Sequence, residues 1–255
     1  MAYRDILVYL DPTAESVGRL RFSAGFAKAH GARLIGVDIS TPEALAGCEN
    51  PDATREAFDA AAREAGLRFV FAAAEKPSEG DAFIHCVDLI VAPAPGGVSR
   101  DLVRRGTLDR ALFESGAPML ILPPEWTGGA VGENVVIAWN GGREALRAVH
   151  DALPILEKAR KVTAFSFSSR PSDLRASATM LVRHLEAHGV SAHVSDWTNT
   201  GDMTAIEALF ASLDTQDADL IVAGAFGHSK LYEGVFGGVT MDLMHQQSLP
   251  VLMSH

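Results

Sequence analysis

The sequence predicts an α/β protein built as two doubly wound parallel-sheet domains in tandem. Three observations predict it. The second half repeats the first: Asp88-Leu89-Ile90-Val91-Ala92 returns as Asp219-Leu220-Ile221-Val222-Ala223, Asp5 to Asp11 as Asn134 to Asn140, and Pro118-Met119-Leu120-Ile121 as Pro250-Val251-Leu252-Met253. The offsets are 131, 129 and 132 residues, so the repeating unit is a domain rather than a solenoid turn. Each half alternates short apolar runs with segments of helical period. Between them lies Pro123 to Gly132, rich in Pro and Gly with one Trp, which reads as a linker. The expected domains are 1–124 and 133–255.

The elements of the second half are the clearer. Val135 to Trp139 is an apolar run stopped by Asn140-Gly141-Gly142, a buried strand followed by a tight turn. Ala145, Leu146, Val149, Ala152 and Leu153 recur at helical spacing, with Glu144, Asp151 and Glu157 on the polar side. Val162 to Phe167 is a second strand. Ser172 or Asp173 caps a helix carrying Leu174, Ala178, Leu181, Val182 and Leu185 and ended by Gly189. Val190 to Trp197 alternates as a third strand. Ile206, Leu209, Phe210 and Leu213 mark a helix, and Leu220 to Ala223 is a fourth strand that runs into glycine. A helix near Thr240 to Gln247 precedes the last strand, Val251 to Ser254. The first half repeats this order with strands near 5–10, 33–39, 68–74, 88–92 and 118–122. Its region 75–87 is too short for a full helix, so that crossover is abbreviated. Strands alternating with helices imply a parallel sheet covered on both faces, with right-handed crossovers.

Composition narrows the function classes. With 255 residues, 47% apolar and 21% charged, each half can bury a core of its own. A formal net charge of −10 argues against nucleic acid or an anionic membrane as partner. No apolar stretch is long enough to span a bilayer. The two cysteines, Cys48 and Cys86, form neither a zinc pattern nor a bridge framework, which fits a reducing cytoplasm. Cys86, just ahead of an apolar strand, reads as a small buried residue. The N-terminal apolar run stops at Asp11 without a small-residue cleavage site, so it reads as a strand rather than a signal peptide.

Doubly wound sheets bind ligands beyond the carboxyl ends of their strands, where the strand order reverses. In the second half that edge is Gly224-Ala225-Phe226-Gly227, then nine residues, then Gly237-Gly238-Val239-Thr240 leading into a helix. Glycines let backbone approach a ligand closely, and amides at a helix start favour phosphate. His228, Ser229 and Lys230 in the intervening loop offer polar contacts. Glycines at this spacing also serve simply to shape turns.

With this repeat and this glycine spacing, the chain resembles a tandem universal stress protein. The resemblance covers both halves. It implies an adenine nucleotide alpha hydrolase-like fold with strand order 3-2-1-4-5 in each domain. The family pattern Gly-x2-Gly-x9-Gly-(Ser/Thr) follows the fourth strand and binds ATP phosphates in many members. Gly224, Gly227 and Gly237 match it, Gly238 stands where Ser or Thr is usual, and Thr240 matches a later Thr. The first half supplies Gly96, nine residues, then Gly106-Thr107, but has Pro93 at the first glycine position and Asp109 where Thr240 stands. The family's acidic residue at the end of the first strand is matched by Asp11, with Asn140 in its place in the second half. The resemblance further implies ATP with Mg, or another adenine nucleotide, as a regulatory ligand. It also implies a cytoplasmic location, an unidentified protein partner, and two halves paired as an internal pseudo-dimer, with a homodimer also allowed.

The departures have physical consequences. Pro93 has no amide to donate. Asp109 adds negative charge near a triphosphate, which Arg100, Arg104 and Arg105 could offset. Gly238 lacks the hydroxyl but keeps its amide. The second half therefore keeps the better phosphate cradle and the first half the better acidic position. Elsewhere, His184 and His188 stand at i, i+4 with His193 close behind, a spacing that can hold a metal. No Cys or carboxylate completes that set, so an exposed helix face is expected. Neither a Gly-x-Ser-x-Gly elbow nor a Gly-Lys-Ser/Thr phosphate loop occurs, and no residue reads as a base for water attack. Two readings therefore precede a slow ATP hydrolase: a nucleotide-regulated binding protein, and a degenerate tandem domain acting through protein–protein interaction without nucleotide.

Overall fold

The computed structural model describes residues 2–40, 50–73, 77–94, 102–124, 126, 128–168, 171–198, 203–225, 242–244 and 248–255. The chain divides into two compact units, Met1–Gly128 and Gly129–His255.

The first unit runs β1 (Asp5–Leu10), α1 (Ala14–His30), β2 (Arg33–Asp38), α2 (Ala53–Glu64), β3 (Phe69–Ala72), α3 (Pro77–Ile84), β4 (Leu89–Pro93), α4 (Leu102–Glu114) and β5 (Met119–Leu122). Every pairing is parallel. Leu7 stands opposite Ile35 of β2 on one side and Ile90 of β4 on the other, β3 lies beyond β2, and β5 beyond β4. The direction of winding therefore reverses between β1 and β4. Ile6, Leu7, Val8, Leu34, Ile35, Leu89, Ile90 and Val91 are fully buried, because strands covered on both faces have no solvent side. The crossover from β3 to β4 carries the eight-residue α3, the abbreviated link expected there.

The second unit runs β6 (Asn134–Ala138), α5 (Arg143–Leu156), β7 (Lys161–Ser168), α6 (Pro171–Ala187), β8 (Ala192–Thr198), α7 (Ala205–Gln216), β9 (Leu220–Gly224) and β10 (Val251–Ser254). Val136 stands opposite Thr163 of β7 and Ile221 of β9, β8 lies beyond β7, and β10 beyond β9, again all parallel. Ala145, Ala148, Val149, Ala152 and Leu153 form the buried face of α5. Leu146, expected among them, is 39% exposed, since its position falls off that stripe. Helix α6 starts at Pro171, which suits the first helical position. Ser172 and Asp173 are thus within its first turn and not at the cap. Gly189 ends α6 in a left-handed conformation, φ +78°, and lets the Val190 amide reach the Leu185 carbonyl at 3.0 Å. Helix α7 opens with a capping box between Thr204 and Glu207. Of the helix expected near 240–247, residues 242–244 are helical and the rest lie outside the described residues.

One device recurs in both units and explains a repeated residue. The Asp88 carboxylate accepts from the backbone amides of Arg4 and Asp5 at 2.7 and 2.9 Å. Asp219 accepts from those of Gly132, Glu133 and Asn134 at 2.7, 3.0 and 3.1 Å. Each aspartate ties the entry of the central strand to the neighbouring strand and satisfies amides that would otherwise lack partners. Among the described residues, no helix is long and apolar enough to cross a membrane.

Candidate functional site

In the second unit, β6 and β9 are neighbours at the point of reversal, with Ala138 opposite Ala223. Asn140 and Gly224 therefore reach the same carboxyl edge of the sheet. Asn140 is exposed, and its Oδ1 accepts the Gly142 amide at 2.8 Å, a local turn that launches α5. Just before it, the buried Trp139 donates from Nε1 to Ser177 Oγ of α6 at 3.1 Å. Gly224 has a packing cause of its own. A Cβ there would stand 2.4 Å from the Ala145 nitrogen and 2.5 Å from the Glu144 carbonyl carbon, so the strand end and the first turn of α5 meet only because residue 224 has no side chain. Ser254, opposite Gly224 on β10, is buried, and its hydroxyl has no hydrogen-bond partner among the described residues.

Glu144 is buried rather than solvated as the helical pattern suggested. A hydrogen bond from its own backbone amide holds its carboxyl below the usual carboxylate range, against the opposing effect of burial, and Arg143, 3.0 Å away, adds to the lowering, with a smaller contribution from His255. A charged carboxylate thus occupies the first turn of α5, where the helix dipole favours it. Gly227, His228, Gly237, Gly238, Val239 and Thr240 of the glycine pattern, with Ser229 and Lys230, lie outside the described residues.

The corresponding edge of the first unit is built differently. Asp11 directly follows β1 and is buried. Its Oδ2 pairs with Arg19 Nη2 from α1 at 3.0 Å, and Arg19 Nε donates to the Tyr9 carbonyl at 2.6 Å. Its Oδ1 accepts from the Thr13 amide at 2.9 Å and from the Thr13 hydroxyl. Both oxygens of the expected nucleotide-side carboxylate are thus engaged within the protein. Pro93 closes β4 without an amide. Gly106 and Thr107 lie one turn inside α4, which begins at Leu102. Their amides fall in the helical ladder rather than among the free amides of the helix start. Gly96 lies outside the described residues.

The histidines separate in an unexpected way. His193 of β8 bonds Thr163 Oγ1 of β7 at 3.1 Å, whereas His184 of α6 and His188, in the turn that follows it, gather with His150 of α5. Cys86 is exposed, not buried, because it sits in the turn between α3 and β4, before the strand enters the core. A cavity of about 490 Å³ lined by Phe210, Leu213, Asp214, Asp217, Ser248 and Leu249 opens at the amino ends of β9 and β10. That is the opposite edge from Asn140 and Gly224, and its lining includes none of the ligand-site residues expected from sequence.

No protein-family model and no curated protein matches the chain. Solved structures do match it over nearly their whole length. A universal stress protein from Archaeoglobus fulgidus DSM 4304 is 17% identical, with a TM-score of 0.73 and coverage of 98% of this chain and 97% of that one. A putative universal stress protein from Pseudomonas aeruginosa UCBPP-PA14 is 17% identical, with a TM-score of 0.65 and coverage of 99% and 93%. The cytoplasmic domain of a prokaryotic cation chloride cotransporter is 13% identical, with a TM-score of 0.55 and coverage of 98% and 94%. The chain therefore has the α/β, parallel-sheet fold of universal stress proteins. Because a transporter domain shares that fold, function has to be argued from the site.

Proposed function

We propose that the chain is a cytoplasmic, two-domain protein of the universal stress protein type. In this reading an adenine nucleotide, ATP with Mg, binds the second unit as a regulatory ligand. The observation that carries the reading is the carboxyl edge of that unit. An exposed Asn140, a side-chain-free Gly224 and the Ser254 hydroxyl, which has no partner among the described residues, lie at that edge, where doubly wound sheets take their ligands. The glycine pattern 224–240 begins at that point. Calorimetric titration with ATP, with and without magnesium, tests the reading. Replacing Gly237 by a bulky residue should weaken binding more than the same change at Gly106, and the reverse ranking refutes the assignment.

For the first unit the interaction reading is the better supported. Its carboxylate is locked by Arg19, Pro93 lacks an amide and Gly106 lies inside a helix. We assign it no nucleotide and a role in contacting a protein partner. Mass spectrometry of ligand retained by the purified protein should find at most one nucleotide per chain. Two per chain would contradict the division of labour. Nucleotide turnover is expected to be negligible, and sustained phosphate release abolished by His228→Ala would replace the binding role with an enzymatic one.

A further inference from the structure

We infer that His150 and His184 form a surface chelate for a first-row divalent transition ion of the zinc, nickel and copper group. His150 stands on α5 and His184 on α6, and their Nε2 atoms are 3.1 Å apart. Two imidazole nitrogens, each about 2.0–2.1 Å from one zinc ion at an angle of about 90–110°, sit about 2.9–3.4 Å from each other. The two helices thus already hold the nitrogens at the separation that one ion requires.

The surroundings fit this use. His150 is exposed and His184 half-buried, so an ion from solvent reaches the pair. His188, one turn beyond His184, packs edge-on against the His184 ring with centroids 4.8 Å apart and limits the positions that ring can take. Among the described residues, no group of three or more His, Cys, Asp or Glu side chains is placed to hold a metal. With two protein ligands, the site is one of reversible binding rather than structural clamping. Imidazole is a ligand shared by zinc, nickel and copper, and it binds in its neutral form. Asp151, on the same helix as His150, is paired with Arg147 at 2.8 Å. Without metal, the two rings share one N–H···N hydrogen bond. With metal, both Nε2 lone pairs face the ion; the ring that donated moves its hydrogen from Nε2 to Nδ1, the other keeps its hydrogen on Nδ1, and no proton is released.

The test uses the untagged full chain, stripped with a chelator and titrated with Zn(II) and with Ni(II) in a non-coordinating buffer. One ion per chain is expected. His150→Gln and His184→Gln should each weaken binding about tenfold or more, because each leaves one imidazole where two acted together. His85→Gln, which removes an exposed imidazole of the first unit, should leave binding unchanged. Glutamine keeps a hydrogen-bonding side chain at each position, and thermal melts followed by circular dichroism establish that the variants are folded. The Cu(II) complex should show two coupled nitrogens by electron paramagnetic resonance, falling to one in either variant. Absence of saturable binding overturns the site, as does equal loss from His85→Gln or undiminished binding by His150→Gln.

Discussion

The two units each wind a parallel sheet in the same way but finish the carboxyl edge of its central strand in opposite ways. Asp11 of the first unit corresponds to Asn140 of the second, and Arg19 to Ala148, both at the offset of 129 residues. In the first unit the two side chains make a buried ion pair. In the second, the asparagine is exposed and the alanine is fully buried in the face of α5. The pair changes as a pair: a buried arginine without its carboxylate, or the reverse, leaves an uncompensated charge. At the opposite end of the same strands, Asp88 and Asp219 do the same work in both units. Across the duplication the end that fixes strand entry has stayed alike, while the end where doubly wound sheets bind ligands has diverged.

The largest test of this contrast is Arg19→Leu. It strands the buried Asp11 carboxylate and should cost about 3–5 kcal/mol, measured by chemical denaturation. The double change Asp11→Asn with Arg19→Leu, which imports the neutral chemistry of the second unit, should recover most of that loss, because replacing a whole buried pair is close to neutral. A single variant as stable as the wild type would mean that Arg19 is not needed to compensate Asp11.

The aspartates that the units share come next. Asp88→Ala and Asp219→Ala each remove an ionised acceptor from backbone amides, and hydrogen bonds to charged groups contribute about 1.5–3 kcal/mol. Similar losses from both are expected in denaturant titrations. A loss from one and none from the other would end the claim that the device is equivalent in the two units.

Two glycines of the motif, one from each unit, should then respond with opposite signs. Gly224→Val drives a side chain into the backbone of α5, which cannot yield as a flexible side chain would; overpacking of this kind costs about 1–3 kcal/mol. Gly106→Ala meets nothing within 4 Å and lies inside a helix, where it should stabilise by about 0.5–1 kcal/mol. Denaturation midpoints read both, and destabilisation by Gly106→Ala would show that its freedom serves something other than turn-making.

These residues also mark how far the sequence could be read. Continuous apolar strands alternating with helical segments point directly to a parallel α/β fold, because burial on both faces demands such runs. Arg19 was not legible. Hydrophobic periodicity sees a polar residue and assigns it to solvent, whereas α1 turns Ser16, Arg19 and Ser23 inward. The one signal for it was Asp11 eight residues earlier, a partner able to keep a buried guanidinium charged. Glu144 misled for the same reason: its carboxyl folds back onto its own helix start. The histidine pair was hidden more deeply. The spacing of His184 and His188 was visible, but their neighbour is His150 on another helix, and only the packing of α5 against β9 and of α6 against β7 and β8 brings those helix faces together.

The smallest expected effect is a pH dependence that belongs to the second unit. His184 is held below its ordinary value of 6.5, by burial first and then by His188 and His150. Above pH 6.5 the ring is neutral in the folded and unfolded chain alike, and its contribution to stability is fully present. As the pH falls through that value, the unfolded chain takes up the proton before the folded one does, so stability is lost until the folded ring also titrates. The groups facing it are His150 from α5, His188 in the turn that follows α6, and the Arg147–Asp151 pair beside His150. Denaturation midpoints taken between about pH 7.5 and 5.5, with a chelator present, should decline more steeply for the wild type than for His184→Gln. His85→Gln in the first unit should leave the wild-type slope unchanged. Parallel slopes for wild type and His184→Gln would show that the crowded imidazoles are not what makes the second unit sensitive to acid.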